Sequence, residues 1–195
     1  VTVVANLNNN VTTACDTGCL FCNFKDSAEQ FRADRPDDHP GFTKTPAESR
    51  EIVAGAVERG IYEVTSVSGL HPAFALDDEH REILAATDPD DRGDVHYRPP
   101  DTYTTDPGTY VDQIEAMSVD GVHVHSMTPE EAAHAKRATD WDYVDVYRRL
   151  AEAGLDSVPG TAAEILVDEV RDVICPAKID TGEWLAAMEA AADVG

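Results

Sequence analysis

Cysteine is scarce in this chain, with four in 195 residues, and lysine is as rare, limited to Lys25, Lys44, Lys136 and Lys178. Basic residues number 15 against 38 acidic ones, a net charge of -23. A surface of that sign repels a phosphate backbone, and no local run of basic residues offsets it, so nucleic acid is excluded as a partner. Long apolar runs are also missing: none approaches the ~20 residues that cross a bilayer. No charged segment followed by an apolar one opens the chain, so the expectation is a cytoplasmic protein without a membrane partner. The acids are scattered, as in DPDDRGD (88–94). They read as a solvation surface suited to a salt-rich, halophilic cytoplasm, where charge is screened and keeps the protein dissolved.

What is present is a hydrophobic content of 42%, enough for a real core. VTVVA (1–5) is β-branched and reads as a buried first strand that runs into a polar loop. In TPAESREIVAGAVERG, Thr45 caps a helix, Pro46 suits its first position, Glu48 completes a capping box and Gly60 stops it. A second strand is expected at 61–67, a helix near 78–86, and an insertion loop without periodicity at 88–107. A helix around 110–117 leads into a third strand at 121–127. TPEE (128–131) repeats the capping signal, and 141–154 forms an amphipathic helix. A fourth strand at 155–160, a loop at 161–166 and a last helix at 181–193 complete the reading.

Strands alternating with helices imply βαβ units and an α/β fold with a parallel sheet. A closed TIM-type barrel takes ~250 residues and eight such units, with its chemistry in the loops after the strands. Four units fit here, and the chain starts on Val1. The expectation is therefore a partial barrel, residues 1–195 being the N-terminal half. All the unusual sequence, the cysteines, SGLHP (68–72), SMTP (126–129) and PGTAAE (159–164), falls in the four loops where chemistry belongs.

Three of the four cysteines crowd into ACDTGCLFCNF (14–24), spaced Cys15-x3-Cys19-x2-Cys22 with Phe21 before the last. A zinc knuckle would need a fourth ligand, which neither a nearby histidine nor a second cysteine pair supplies. Disulfides would leave one of three close thiols odd. Three thiolates suit a cubane cluster with three irons held by protein and a fourth left open to a small molecule. Cys175, in VICPAK, reads as a small buried apolar residue.

This spacing, its aromatic residue and its place after a first strand resemble the radical S-adenosylmethionine (SAM) enzymes. The resemblance implies a radical SAM barrel and a [4Fe-4S] cluster on Cys15, Cys19 and Cys22, with SAM chelating the open iron. Electron transfer to SAM would give a 5'-deoxyadenosyl radical, which the protein orients and shields from water. SGLHP (68–72), VHVHSMTPEE (122–131), AGLDSVPGTAAEIL (153–166) and EVRDVICPAKI (169–179) further resemble successive blocks of the FO synthase family, above all its tyrosine-coupling subunit. Menaquinone futalosine-pathway radical enzymes share some of these blocks. That resemblance implies a transferase that joins the 4-hydroxybenzyl group of L-tyrosine to 5-amino-6-(D-ribitylamino)uracil in deazaflavin biosynthesis. FO synthase subunit 1 would close the ring, and a ferredoxin or flavodoxin would supply electrons. The partner subunit, a menaquinone-pathway homologue and an inactive metal-binding fragment are the alternatives.

By the same resemblance Phe21, Ser68, Gly69, Glu164 and Arg171 are expected at SAM. Ser68 and Gly69 stand where these enzymes carry a glycine-rich strand end at the SAM amino group, although Ser68 departs from glycine. Backbone groups can still serve there. Glu164 would accept hydrogen bonds from the ribose and Arg171 would pair with the carboxylate, an ordinary surface ion pair being the alternative for each. His123 and His125, two apart on a strand, face one side while Val122 and Val124 face the other. The valines suit a helix layer, so the histidines are expected to point inward at substrate, or else to be satisfied structural residues. His71 is the third candidate substrate contact.

Overall fold

The computed structural model describes residues 2–35, 41–91, 96–137 and 139–195. Its elements, in order, are β1 (Asn6–Asn8), β2 (Ala14–Cys15), β3 (Asp26–Ser27), α1 (Pro46–Val57), β4 (Glu63–Thr65), α2 (Asp78–Ala86), α3 (Tyr110–Met117), β5 (His123–His125), α4 (Pro129–Lys136), α5 (Tyr143–Glu152), α6 (Asp168–Ile174) and α7 (Thr181–Val194). Strands β1, β4 and β5 form a parallel sheet in that order. A parallel bridge from His125 to Ser157 marks where a fourth strand lies alongside, reduced to a single pairing. The alternation of strand and helix expected from the sequence is thus the architecture found.

Register decides the chemistry of each sheet face. Leu7, Val64 and Val124 are paired neighbours, as are Asn6, Glu63 and His123 one residue earlier and Asn8, Thr65 and His125 one later. With a period of two, the apolar row points one way and both polar rows the other. Val64 and Val124 are fully buried in the main core, with Val53 of α1, Ile114 and Met117 of α3, Val146 and Leu150 of α5 and Ala187 of α7. Burying such a valine contributes about 1.5–3 kcal/mol, so the apolar row fixes the register.

Local signals explain the helices. Thr45 accepts from the Glu48 N–H while Glu48 bonds back to the Thr45 amide, and Thr128 and Glu131 repeat that box at α4. Asp142 caps α5, whose buried Tyr143, Val146, Tyr147 and Leu150 recur at helical spacing.

Three expectations need correction. The first strand is the polar Asn6–Asn8 and not the β-branched stretch before it, in which Val3 is 75% and Val4 55% exposed. Pairing to β4 overrides propensity there, and the expected strand's Val1 lies outside the described residues. The fourth strand shrinks to the Ser157 bridge. Helix α6 appears where none was expected, because it is seven residues long and Val167 offers no side-chain cap. The stretch 88–107, expected as an insertion loop without periodicity, has, apart from 92–95 outside the described residues, short 3-10 turns at Pro89–Asp91 and Pro100–Thr102 and buries Tyr97 and Tyr103. Thr104 and Ala33 exchange backbone bonds across it with Phe31 and Thr102.

Candidate cluster and cofactor site

Beyond the ends of the strands lies a cavity of about 300 Å³ lined by Cys15, Cys19, Cys22, Phe21, Ser68, Gly69 and Glu164, together with Thr17, Lys25, Thr128, Glu130, Glu131 and Lys178 among others. It therefore gathers all three clustered cysteines and most of the residues expected at SAM. The cysteines are free thiols. The Thr17 hydroxyl lies 2.9 Å from Cys15 Sγ and 3.7 Å from Cys19 Sγ, and Lys25 Nζ donates to the Thr17 carbonyl at 2.5 Å. Among the described residues no three His, Cys, Asp or Glu side chains are drawn together closely enough to hold a metal ion. A cubane asks for something else, since each thiolate binds a different iron and the sulfurs stand apart at separate corners. Three free thiols around one cavity, with a hydroxyl between two of them, fit that group.

The loop after β4 closes against the cysteine loop. Gly69 donates to the Thr12 carbonyl at 2.9 Å and Asp16 to the Leu70 carbonyl at 3.3 Å. A Cβ on Gly69 would sit 2.3 Å from the Ala14 carbonyl oxygen and 3.1 Å from Cys15 Cβ, so the approach requires glycine. The serine that replaces an expected glycine has a role of its own, because Ser68 Oγ accepts from the Val11 N–H at 2.8 Å.

Glu131, read from the sequence only as a cap, is buried at the cavity wall. Its Oε1 accepts from Ser68 N–H at 3.2 Å, and its Oε2 from the Thr128 amide and hydroxyl at 2.9 and 2.8 Å. Burial pushes its carboxyl up to about 7 against these bonds, which pull it down. It ties the β4 loop to the start of α4.

Glu164 has a left-handed backbone (φ 42°), as does Ala162 (φ 71°), and its carboxylate pairs with Lys178 at 2.8 Å. Arg171 corrects the expectation that it meets a cofactor carboxylate. It is buried, it does not line the cavity, and its guanidinium donates to the carbonyls of Ala162, Ala163, Ile165 and Ile179. The fork holds the carbonyls of a turn that L-residues adopt reluctantly, and so sets the position of Glu164.

The three histidines lie outside this cavity. His71 is sealed from solvent, with its ring 4.5 Å from Tyr103 and 6.1 Å from Phe74, and desolvation lowers its pKa to about 3. Its Nδ1 accepts from the Ala73 N–H, so it packs as a neutral core residue. His123 and His125 occupy the sheet face opposite the helix-packed valines, and both reach one hydroxyl: His123 Nε2 and His125 Nδ1 lie 2.6 and 2.7 Å from Ser157 Oγ. Cys175 is buried, as expected, behind the cysteine loop, whose Leu20 N–H bonds the Ile174 carbonyl at 2.8 Å. Glu130, Glu131 and Lys178 carried no sequence signal of a site, since caps and single lysines are common.

Fold and site together define an α/β parallel-sheet protein whose strand-end loops form a thiol-walled cavity fit for an iron-sulfur cluster. More narrowly, the chain belongs to the radical SAM superfamily, whose profile matches residues 9–195. That family implies a [4Fe-4S] cluster and SAM. Over its full 195 residues the chain is 72% identical to a Haloarcula marismortui protein named 5-amino-6-(D-ribitylamino)uracil--L-tyrosine 4-hydroxyphenyl transferase, of which it covers 43%. It is 67% identical to a Halobacterium salinarum protein of the same name, covering 42% of it. The chain thus spans less than half the length of these curated relatives. Among solved structures it is similar to the [FeFe]-hydrogenase maturase HydG (TM-score 0.56, 17% identity, 99% of this chain and 33% of that one). It is also similar to methylornithine synthase PylB (TM-score 0.57, 13% identity, 99% of this chain and 42% of that one). At such identities these two speak to the fold alone.

Proposed function

We propose that this chain belongs to an FO synthase tyrosine-coupling enzyme, a transferase that joins the 4-hydroxybenzyl group of L-tyrosine to 5-amino-6-(D-ribitylamino)uracil. The observation that carries the reading is the 72% identity across all 195 residues to a relative with that name. The cavity supports it, since its residues divide into the parts such a reaction needs.

Cys15, Cys19 and Cys22 would hold the cluster, which when bound supplies the electron for reductive cleavage of SAM. The Ser68–Gly69 backbone, pressed against the cysteine loop with its amides bonded to Glu131 and Thr12, offers carbonyl groups to the amino end of SAM. Glu164 accepts from the ribose, with Lys178 holding its carboxylate and Arg171 holding its turn. Phe21 contributes an apolar wall that keeps water from the reacting atoms. His123 and His125, on the inward face, are read as contacts to substrate, oriented through Ser157. Products would pass to FO synthase subunit 1, and the reductant would be a ferredoxin or flavodoxin. None of the described helices is long and apolar enough to cross a membrane, in keeping with a cytoplasmic enzyme.

The test is anaerobic reconstitution of the full-length protein with iron and sulfide, then incubation with dithionite, SAM, tyrosine and the ribitylaminouracil, with mass spectrometry of the products. Deoxyadenosine together with the hydroxybenzyl-uracil adduct is expected. Deoxyadenosine without the adduct would overturn the substrate assignment.

A further inference from the structure

The cavity wall carries three carboxylates, Glu130, Glu131 and Glu164, and two ammonium groups, Lys25 and Lys178. Four of these five are accounted for within the fold. Lys178 pairs with Glu164 at 2.8 Å, Lys25 donates to the Thr17 carbonyl, and both oxygens of Glu131 accept from the α4 cap and the β4 loop. Glu130 is different. It is 4% exposed, its Oε2 accepts one long bond from the Ile179 N–H at 3.3 Å, and its Oε1 has no hydrogen-bond partner. Buried carboxylate oxygens without a donor are rare and call for an explanation.

We propose that Glu130 receives the primary ammonium group of an amino-acid ligand bound in this cavity. An ammonium brings that oxygen both a hydrogen-bond donor and a positive charge, a charge-assisted bond about twice as strong as the one a neutral hydroxyl would make. Geometry allows the contact: the terminal torsion of a glutamate is soft, and the long bond to Ile179 lets the carboxylate turn its free oxygen to the ligand. Glu131 cannot do this without giving up the α4 cap. The identity of the amino acid rests on the function proposed above, in which two ligands carry an α-ammonium, SAM through its methionyl end and L-tyrosine.

The experiment is calorimetric binding to the full-length, cluster-loaded enzyme, wild type against Glu130→Gln, which keeps the shape and removes the charge. The probes are SAM, L-tyrosine in the presence of SAM, and 3-(4-hydroxyphenyl)propanoate, which is tyrosine without its amine. If the substrate ammonium sits on Glu130, the variant weakens tyrosine tenfold or more and leaves SAM and the deaminated analogue unchanged. If the SAM ammonium sits there, SAM weakens tenfold or more instead. Affinities for SAM and tyrosine both within twofold of wild type overturn the proposal. Wild-type enzyme that binds SAM but no tyrosine refutes the proposed substrate, and the SAM comparison still decides the role of Glu130. Should Glu130→Gln fail to hold iron or its native circular dichroism, Glu130→Asp replaces it. Its shorter arm withdraws the charge, so the same selective loss is expected, and unchanged affinities there count against the proposal equally.

Discussion

The two faces of the central sheet, built from alternate residues of the same three short strands, differ in almost every property. On the helix side Val64 and Val124 are closed off by α1, α3, α5 and α7. On the opposite side Asn6 donates to Glu63 and Thr65 at 2.6 and 2.7 Å, and His123 and His125 meet at Ser157. One face supplies stability, and its partners are fixed by shape. The other supplies donors and acceptors, and its stability is borrowed from the face behind it.

The sharpest way to break this comparison is to exchange the characters of adjacent residues. Val124→Asp buries an unpaired charge in the core and should cost about 4 kcal/mol or more, enough to abolish a cooperative urea transition. His123→Ala, one residue away on the polar face, should cost less than about 1 kcal/mol by the same measurement. Equal costs would show that the faces are not divided in this way. Next in size is Gly69→Ala, which forces a methyl against the Ala14 carbonyl. Iron content after reconstitution should fall severalfold, while far-ultraviolet circular dichroism changes little.

Histidine burial offers a pH test. His71 has a folded pKa of about 3, below the ordinary value of 6.5, because burial disfavours its charged form. The unfolded chain therefore binds the extra proton first, and the stability linked to His71 is present above pH 6.5 and lost as pH falls toward 3. In urea titrations between pH 7 and pH 4, His71→Asn, whose amide oxygen can still accept from Ala73, should flatten the acid-side loss. An unchanged slope would mean the ring is not held neutral. The smallest effect belongs to Ser157→Ala. A hydroxyl has one proton, so at least one of the two rings must donate to it. Removing it should shift the ring nitrogen signals of His123 and His125 in nuclear magnetic resonance and leave stability within about 0.5 kcal/mol.

Much of the fold was legible because the signals were local. The Thr45 and Thr128 boxes, Pro46, Gly60 and the stripe of α5 each fix an element within a few residues, and α1, α4 and α5 stand where those signals point. The cysteine spacing was legible for the same reason. What failed depended on partners distant in sequence. The strand at Asn6–Asn8 exists through its pairing with β4, 57 residues on, and nothing in its own composition announces it. Arg171 looked like a ligand for a carboxylate, and only the turn at 162–165 reveals that its donors are spent on carbonyls. Glu130 was invisible because its orphaned oxygen is a property of the folded wall.

The bond from Leu20 N–H to the Ile174 carbonyl joins the cysteine loop to a segment about 150 residues later. During synthesis at about 5–20 residues per second, that segment leaves the ribosome roughly 8–30 s after the cysteines. Through that interval the nascent chain presents its thiols with no far wall and with Cys175 not yet made. The cavity is complete only once that later segment has emerged, and the earlier window is the one in which an oxidant would find the cysteines undefended.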